Sequence, residues 1–286
     1  MKFTKMQGTG NDFIVIEPDS KPHDWVKLAT DVCDRHYGIG ADGILLLLPS
    51  KSADFRMRIL NSDGSEAEIC GNGLRCLVKY FVAKMPARSR PGEITVETMA
   101  GVRKAWLVKN NDGSTSVKLG MGKPRFADDE IPVNLEGCEA RIVRKPMTIC
   151  TLQVGRRDLP LALVSMGNPH AVYFNDKPVA NFSLSRLGPK VEHHRIFPEG
   201  TNFEVARVRS RKEIDAVVWE RGAGATLACG SGACAIAVAA HLNGYVDDKV
   251  SVNLPGGTLQ IEWSRDGEVF LTGPAEFVFS GEWTEA

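Results

Sequence analysis

The stretch EICGNGLRCLVKYFV, residues 68–82, is a loop that becomes a helix at a cysteine. Leu74, Leu77, Val78, Phe81, Val82 and Met85 recur at three- and four-residue intervals, which is one face of a helix. Gly71 and Gly73 place the bend just ahead of that face, so Cys70 stands at the helix start. A second copy, CGSG at 229–232, lies 159 residues on (229 − 70) and runs into Ala233–Leu242. That run is apolar almost all round, which predicts a buried helix.

Other pieces repeat in the same order. Gly10-Asn11-Asp12-Phe13 before Ile14–Ile16 returns as Gly167-Asn168-Pro169-His170 before Ala171–Phe174, an offset of 157 (168 − 11). Asn61 stands nine residues before Cys70, and Glu220 nine before Cys229. Two similar halves meeting near residue 120 are therefore expected. Between the motifs the chain reads as strands and hairpins: Ile94–Thr98, Trp106–Lys109 and Ser116–Leu119, then Val250–Leu254, Thr258–Trp263 and, after a turn at Asp266-Gly267, Val269–Thr272. The predicted class is α+β, with two mostly antiparallel sheets and one buried helix each. A doubly wound parallel sheet fits poorly, because strands outnumber helical segments.

Charge excludes some functions. The 286 residues carry 35 basic and 35 acidic side chains, with no basic block, so neither nucleic acid nor an anionic membrane is an expected partner. The start MKFTKMQGTGNDF lacks a signal peptide's apolar core, and the longest greasy run, Ile44–Leu48, reads as a strand ended by Pro49. A cytoplasmic protein is expected. Its seven cysteines, an odd count, are expected to be reduced thiols. Cys76 and Cys234 fall inside helical patterns and should pack in cores; Cys33, Cys138 and Cys150 have no motif. A zinc site from Cys70, Cys76, Cys229 and Cys234 has unsuitable spacing, and no metal is expected.

A helix N-terminus presents unpaired N–H groups and a positive dipole end. A thiol there should have its pKa pulled below about 8.5. The glycines let backbone N–H groups approach an anion. Two such halves about a pseudo-twofold axis would set two thiols on opposite sides of one carbon acid. One, as thiolate, removes a proton; the other, as thiol, returns one to the opposite face. Neither pyridoxal nor metal is needed, so no cofactor is expected.

The blocks KMQGTGNDF (5–13), RHYGIGADG (35–43), NSDGSEAEICGNGLRC (61–76), SMGNPH (165–170), FPEGTNFE (197–204), ERGAGATLACGSGACA (220–235) and LPGGTLQIEW (254–263) resemble the diaminopimelate epimerase family. The related proline racemase branch carries histidine where this chain has Asn72. The resemblance implies interconversion of L,L- and meso-diaminopimelate, toward lysine and the peptidoglycan cross-link. It implies two halves, each a barrel-like sheet around a central helix: residues 1–120 joined by a C-terminal strand in 274–286, and residues 121–273. It also implies a homodimer.

By the same resemblance Cys70 and Cys229 are the acid–base pair, and Gly71, Asn72, Gly230 and Ser231 cradle the carboxylate at the reacting carbon. Asn11, Asn61, Asn168, Asn202, Glu220 and Arg221 hold the substrate, mainly its far end. His170 and Glu220 adjust the thiols, although a packed histidine is an equal reading for His170. His23, His36, His193, His194 and His241 are assigned no role. Two positions depart from the family: Gly43, where some members have glutamine, and Ala225, often glutamate. A racemase of another amino acid, or a non-catalytic binder with structural cysteines, are the alternatives.

Overall fold

The computed structural model describes residues 1–19, 22–86, 91–155, 157–265 and 267–284. Two compact units emerge, Met1–Gly120 with Thr272–Ala286, and Met121–Leu271. The first contains β1 (Lys2–Gly8), β2 (Asn11–Ile16), α1 (Trp25–Cys33), β3 (Gly43–Leu48), β4 (Phe55–Asn61), β5 (Glu66–Ala67), α2 (Gly71–Ala83), β6 (Ile94–Thr98), β7 (Gly101–Lys109) and β8 (Thr115–Gly120). The hairpin β1–β2 turns on Thr9 (φ 53°) and Gly10 (φ 82°), the pair of left-handed residues that a two-residue hairpin prefers. Thr9 is held there by its hydroxyl, which donates to Gly8 O at 2.7 Å and accepts from the buried Arg75 at 3.0 Å.

Two parallel steps follow, β2 to β3 and β4 to β6. A parallel pair needs a long crossover; α1 lies in the first and α2 in the second. Ile14, Ile16, Ile44 and Leu46 pack with Leu28, Ala29 and Val32 of α1. Phe13 and Leu45 approach Gly73 of α2. With a helix on each face, β3 is apolar throughout, which explains the run Ile44–Leu48. Helix α2 touches β1, β2, β3, β4 and β8, so the sheet curls around it without closing into a barrel.

The second unit repeats this plan. After β9 (Ala140–Arg144) and β10 (Met147–Val154) come β11 (Arg157–Ser165), β12 (Pro169–Phe174), α3 (Leu184–Glu192), β13 (Asn202–Ser210), β14 (Glu213–Glu220), β15 (Gly224–Thr226), α4 (Gly230–Leu242), β16 (Lys249–Leu254) and β17 (Gly257–Glu262), and the unit ends within β18 (Phe270–Gly273), after Leu271. Strand pairing runs antiparallel β11–β12, parallel β12–β13, antiparallel β13–β14 and parallel β14–β16, the order of the first unit. Helix α4 touches β11, β12, β13, β16 and β17. The last strand, β19 (Glu276–Glu282), pairs antiparallel with β1.

The sequence predicts one helix per half, and the structure adds α1 and α3, each nine residues long. Met85 lies beyond the end of α2. Asp266, part of an expected turn, is outside the described residues. The expectation of reduced thiols fails for Cys138 and Cys150, which form a disulfide with Cα atoms 5.5 Å apart. The β9–β10 hairpin brings them together, with Glu139 N–H donating to Thr151 O. Cys33 and Cys76 are buried in the first unit, and burial pushes both thiols up to about 12.

Helix α3 braces the end of β14. Glu192 accepts from Trp219 Nε1 at 2.6 Å and from Gly222 N–H at 2.8 Å. A Cβ on Gly188 would lie 2.4 Å from the Trp219 ring. Gly188→Ala should therefore destabilise the protein by roughly 1–3 kcal/mol, read as a lowered midpoint in thermal or urea unfolding. An unchanged midpoint would show that α3 is free to move off the ring.

Candidate active site

Both motif cysteines are helix N-caps with extended backbones, φ −135° at Cys70 and −118° at Cys229. In each unit the sulfur takes the place of the usual capping oxygen. Cys70 Sγ accepts from Gly73 N–H at 3.5 Å, and Cys229 Sγ from Gly232 N–H at 3.4 Å.

In the first unit the Cys70 thiol donates to Asn11 Oδ1 at 3.7 Å, and Asn72 Nδ2 donates to the same oxygen at 3.3 Å. Asn11 Nδ2 in turn donates to Asp42 Oδ2 at 2.5 Å. Arg35 clamps Asp42 at 2.8 Å and Asp12 at 2.7 Å, and Lys5 reaches Asp12 at 2.9 Å. Burial would raise the Asp12 carboxyl, but Arg35 and Lys5 outweigh it and hold it at about 2. Asn61 ends β4, and its Nδ2 donates to Ser65 Oγ at 2.9 Å inside its own turn.

In the second unit Cys229 Sγ lies 3.4 Å from Ser231 Oγ, which accepts from Asn168 Nδ2 at 3.4 Å. Asn168 Oδ1 is 2.9 Å from His170 Nε2, and His170 Nδ1 is 2.6 Å from Glu204 Oε1. Asn202 Nδ2 donates to Pro169 O at 2.7 Å, and its Oδ1 accepts from Arg221 N–H at 3.0 Å. The Arg221 side chain is exposed and donates to Glu199 O at 3.1 Å. Glu220 accepts from Thr226 Oγ1 at 2.5 Å.

The expected lowering of the thiol pKa fails at Cys229. Burial pushes this thiol well above its ordinary value, and Glu220 and Glu204 push the same way. The bonds from Ser231 and Gly232 oppose them without prevailing. Desolvation here outweighs the helix end.

Each unit thus gathers its own row: Asn11, Asn72 and Cys70 in one; Asn168, His170, Ser231 and Cys229 in the other. Sequence reasoning missed Asp42 and Arg35, and it missed Glu204. The last could have been noticed as an acid between Phe203 and Val205 in the buried first half of its strand. At Gly43 a Cβ would lie 2.5 Å from Leu60 O, so the backbone leaves no room for a side chain. Ala225 is exposed on β15. A groove of about 660 Å³ lined by Arg211, Lys212, His241 and Asp247 sits toward the far end of α4 and holds none of these groups.

Solved structures of similar fold include a phenazine biosynthesis protein of the PhzF family from Bacillus anthracis (TM-score 0.68, 14% identity, covering 100% of this chain and 99% of the other). A probable proline racemase from Agrobacterium radiobacter is also similar (TM-score 0.70, 15% identity, 99% and 92%). They define the fold class. A profile of the diaminopimelate epimerase family matches residues 3–127 and 162–278. Diaminopimelate epimerases of Carboxydothermus hydrogenoformans and Heliobacterium modesticaldum are 46% and 47% identical, each over 99% of both chains. The chain belongs to the diaminopimelate epimerase family.

Exposure ranks the thiols. Cys70 is half-buried, whereas Cys229, Cys33, Cys76 and Cys234 are buried. Iodoacetamide should modify Cys70 first, as read by peptide mass spectrometry. Earlier labelling of Cys229 would contradict its burial.

Proposed function

We propose that the protein epimerises L,L-diaminopimelate to meso-diaminopimelate at one α-carbon, with Cys70 and Cys229 as base and acid. The observation that carries this reading is the pair of sulfur-capped helix starts, each with its own polar row, in a chain of this family.

One sulfur, as thiolate, forms an S–H bond with the α-proton as the C–H bond breaks. The electron pair left on carbon spreads into the carboxylate, where the helix-end amides of Gly71, Asn72, Gly230 and Ser231 stabilise it. The second thiol gives its proton to the opposite face and becomes the thiolate. The proton count of the enzyme is unchanged, and no cofactor takes part. Asn11, Asn61, Asn168, Asn202, Glu220 and Arg221 hold the amino and carboxylate groups, mainly at the unreacting end. Arg221 suits a carboxylate there, and its exposed side chain would exchange the bond to Glu199 O for one to that group. Fixing that end orients the reacting carbon.

Freshly reduced protein in D2O should incorporate deuterium at one α-carbon of L,L-diaminopimelate as the meso isomer forms. Cys70→Ala and Cys229→Ala should each lower that rate by roughly 10²–10⁴. A folded, reduced protein that exchanges nothing would sink this substrate, and other amino acids would then be screened for racemisation.

We also read the enzyme as a cytoplasmic homodimer. No helix among the described residues is long and apolar enough to cross a membrane. Strand β19 leaves Phe277, Val278 and Phe279 about half exposed, apolar area suited to a second copy. Sedimentation should show a dimer, turned to monomer in Phe277→Lys/Phe279→Lys; a wild-type monomer would overturn the assembly reading alone.

A further inference from the structure

Beneath the capped start of each helix the two units differ. In the first, Leu45 and Phe13 lie 2.9 and 3.5 Å from where a Cβ on Gly73 would stand. In the second, Glu204 Oε1 lies 3.0 Å from the same point on Gly232. By the repeat offsets Glu204 answers to Leu45 (204 − 159) and His170 to Phe13 (170 − 157). An apolar pair has become a histidine–glutamate pair. Both side chains are completely buried, and Glu204 Oε2 has no hydrogen-bond partner.

The protons of this pair can be counted. The 2.6 Å contact between Nδ1 and Oε1 holds one proton, whichever atom carries it. Were His170 Nε2 bare, either the pair would bear a net negative charge in a site that desolvates it, or Glu204 Oε2 would carry a buried proton with no acceptor to receive it. Both states are disfavoured, the first by desolvation of the charge and the second by an unsatisfied buried donor. Nε2 therefore keeps its proton and donates to Asn168 Oδ1 at 2.9 Å. The amide is fixed with Nδ2 toward Ser231 Oγ at 3.4 Å, which leaves the Ser231 hydroxyl proton to donate to Cys229 Sγ at 3.4 Å. At the equivalent Asn11 the Asp42 carboxylate claims Nδ2 at 2.5 Å, so Oδ1 faces the Cys70 thiol. The two asparagines turn opposite ends to their cysteines.

We propose that Glu204 is a positioning residue: through His170 it fixes Asn168 so that a row of hydrogen-bond donors ends on the Cys229 sulfur, while an acceptor ends on Cys70. This rests on Cys229 being one of the two acid–base groups. The donors offset part of the cost of holding charge on a buried sulfur, so the two thiols are chemically distinct before substrate binds. The charged groups acting on Cys229 are Glu220 on β14 and Glu204 on β13, the latter paired with His170 on β12. Lys249 on β16 and Glu262 on β17 pair with each other at 3.1 Å.

The test has two readouts that need no substrate. Nitrogen-15 NMR of His170 in the full-length protein should show a protonated Nε2; a bare Nε2 would overturn the proposal. Alkylation of Cys229 at fixed pH is then compared in a Cys70→Ala background. The double change His170→Phe/Glu204→Leu copies the apolar pair of the first unit and removes the donor to Asn168; alkylation should slow three- to tenfold. Glu204→Gln, whose amide can donate to Nδ1, should stay within about twofold of its parent. If Glu204 acted only as a negative charge, both variants would react faster. If the pair only filled space, the double variant would react at the parent rate. Either result refutes the proposal. Should the double variant fail to fold, the spectrum and the glutamine variant still decide. Failure of wild-type protein to exchange the diaminopimelate α-proton would refute the proposed reaction, and would leave these readouts standing.

Discussion

A backbone N–H from the first turn of a helix ends on a cysteine sulfur twice in this chain, at 3.5 Å in one unit and 3.4 Å in the other. Sulfur is larger than the hydroxyl or carboxylate oxygen that usually caps a helix, and a weaker acceptor. The cap therefore needs help from outside. Extended backbone at the cysteine aims the sulfur, glycine two residues into the helix lets the turn press on the sheet, and burial of the helix body fixes its position. The curled sheets of both units serve that last requirement. The cap is also chemically responsive: a thiolate accepts the amide proton better than a thiol, so a change in the protonation of either sulfur would change how firmly its helix start is held.

The repeat sets a similar row of side chains in each unit, but the surroundings of the two sulfurs differ. Asn11 is governed by a half-exposed network of Asp42, Arg35, Asp12 and Lys5, rich in compensated charge. Asn168 is governed by a completely buried histidine–glutamate pair. Networks open to water tolerate ionised groups, because solvent screens what the partners leave over. Buried ones must balance protons internally. The difference in burial is therefore what makes the equivalent asparagines present opposite ends.

What could be read in the sequence followed the same physics. The repeat, the two long helices and the hairpins were legible because Cys-Gly-x-Gly is punctuation and the runs behind it are strongly periodic or wholly apolar. Helices α1 and α3 were not: nine residues give barely two turns of pattern, and Pro189 interrupts the second. The disulfide was invisible, since Cys138 and Cys150 become neighbours only through the β9–β10 hairpin. Among the candidate residues, those within the Cys, Asn and Glu-Arg motifs could be named. Their governors could not. Asp42 sits in a loop of ordinary polarity, and Glu204 looks like one acid in a strand until its opposite number, Leu45, is set beside it.

Glu204 is a poor choice for stability. Its burial raises its carboxyl toward the neutral form, with the charge and hydrogen bond of His170 acting against that shift, and an apolar pair is demonstrably compatible with such a row because the first unit uses one. A fold that tolerates Phe13 and Leu45 has no structural need for His170 and Glu204. Natural proteins depart from local consistency mainly where function asks for it. The departure lies directly beneath Cys229 and reaches that sulfur through only two further side chains, Asn168 and Ser231. The cost is thus borne directly beneath the helix start that Cys229 caps, while the first unit, with its thiol governed from the solvent side, keeps the cheaper core.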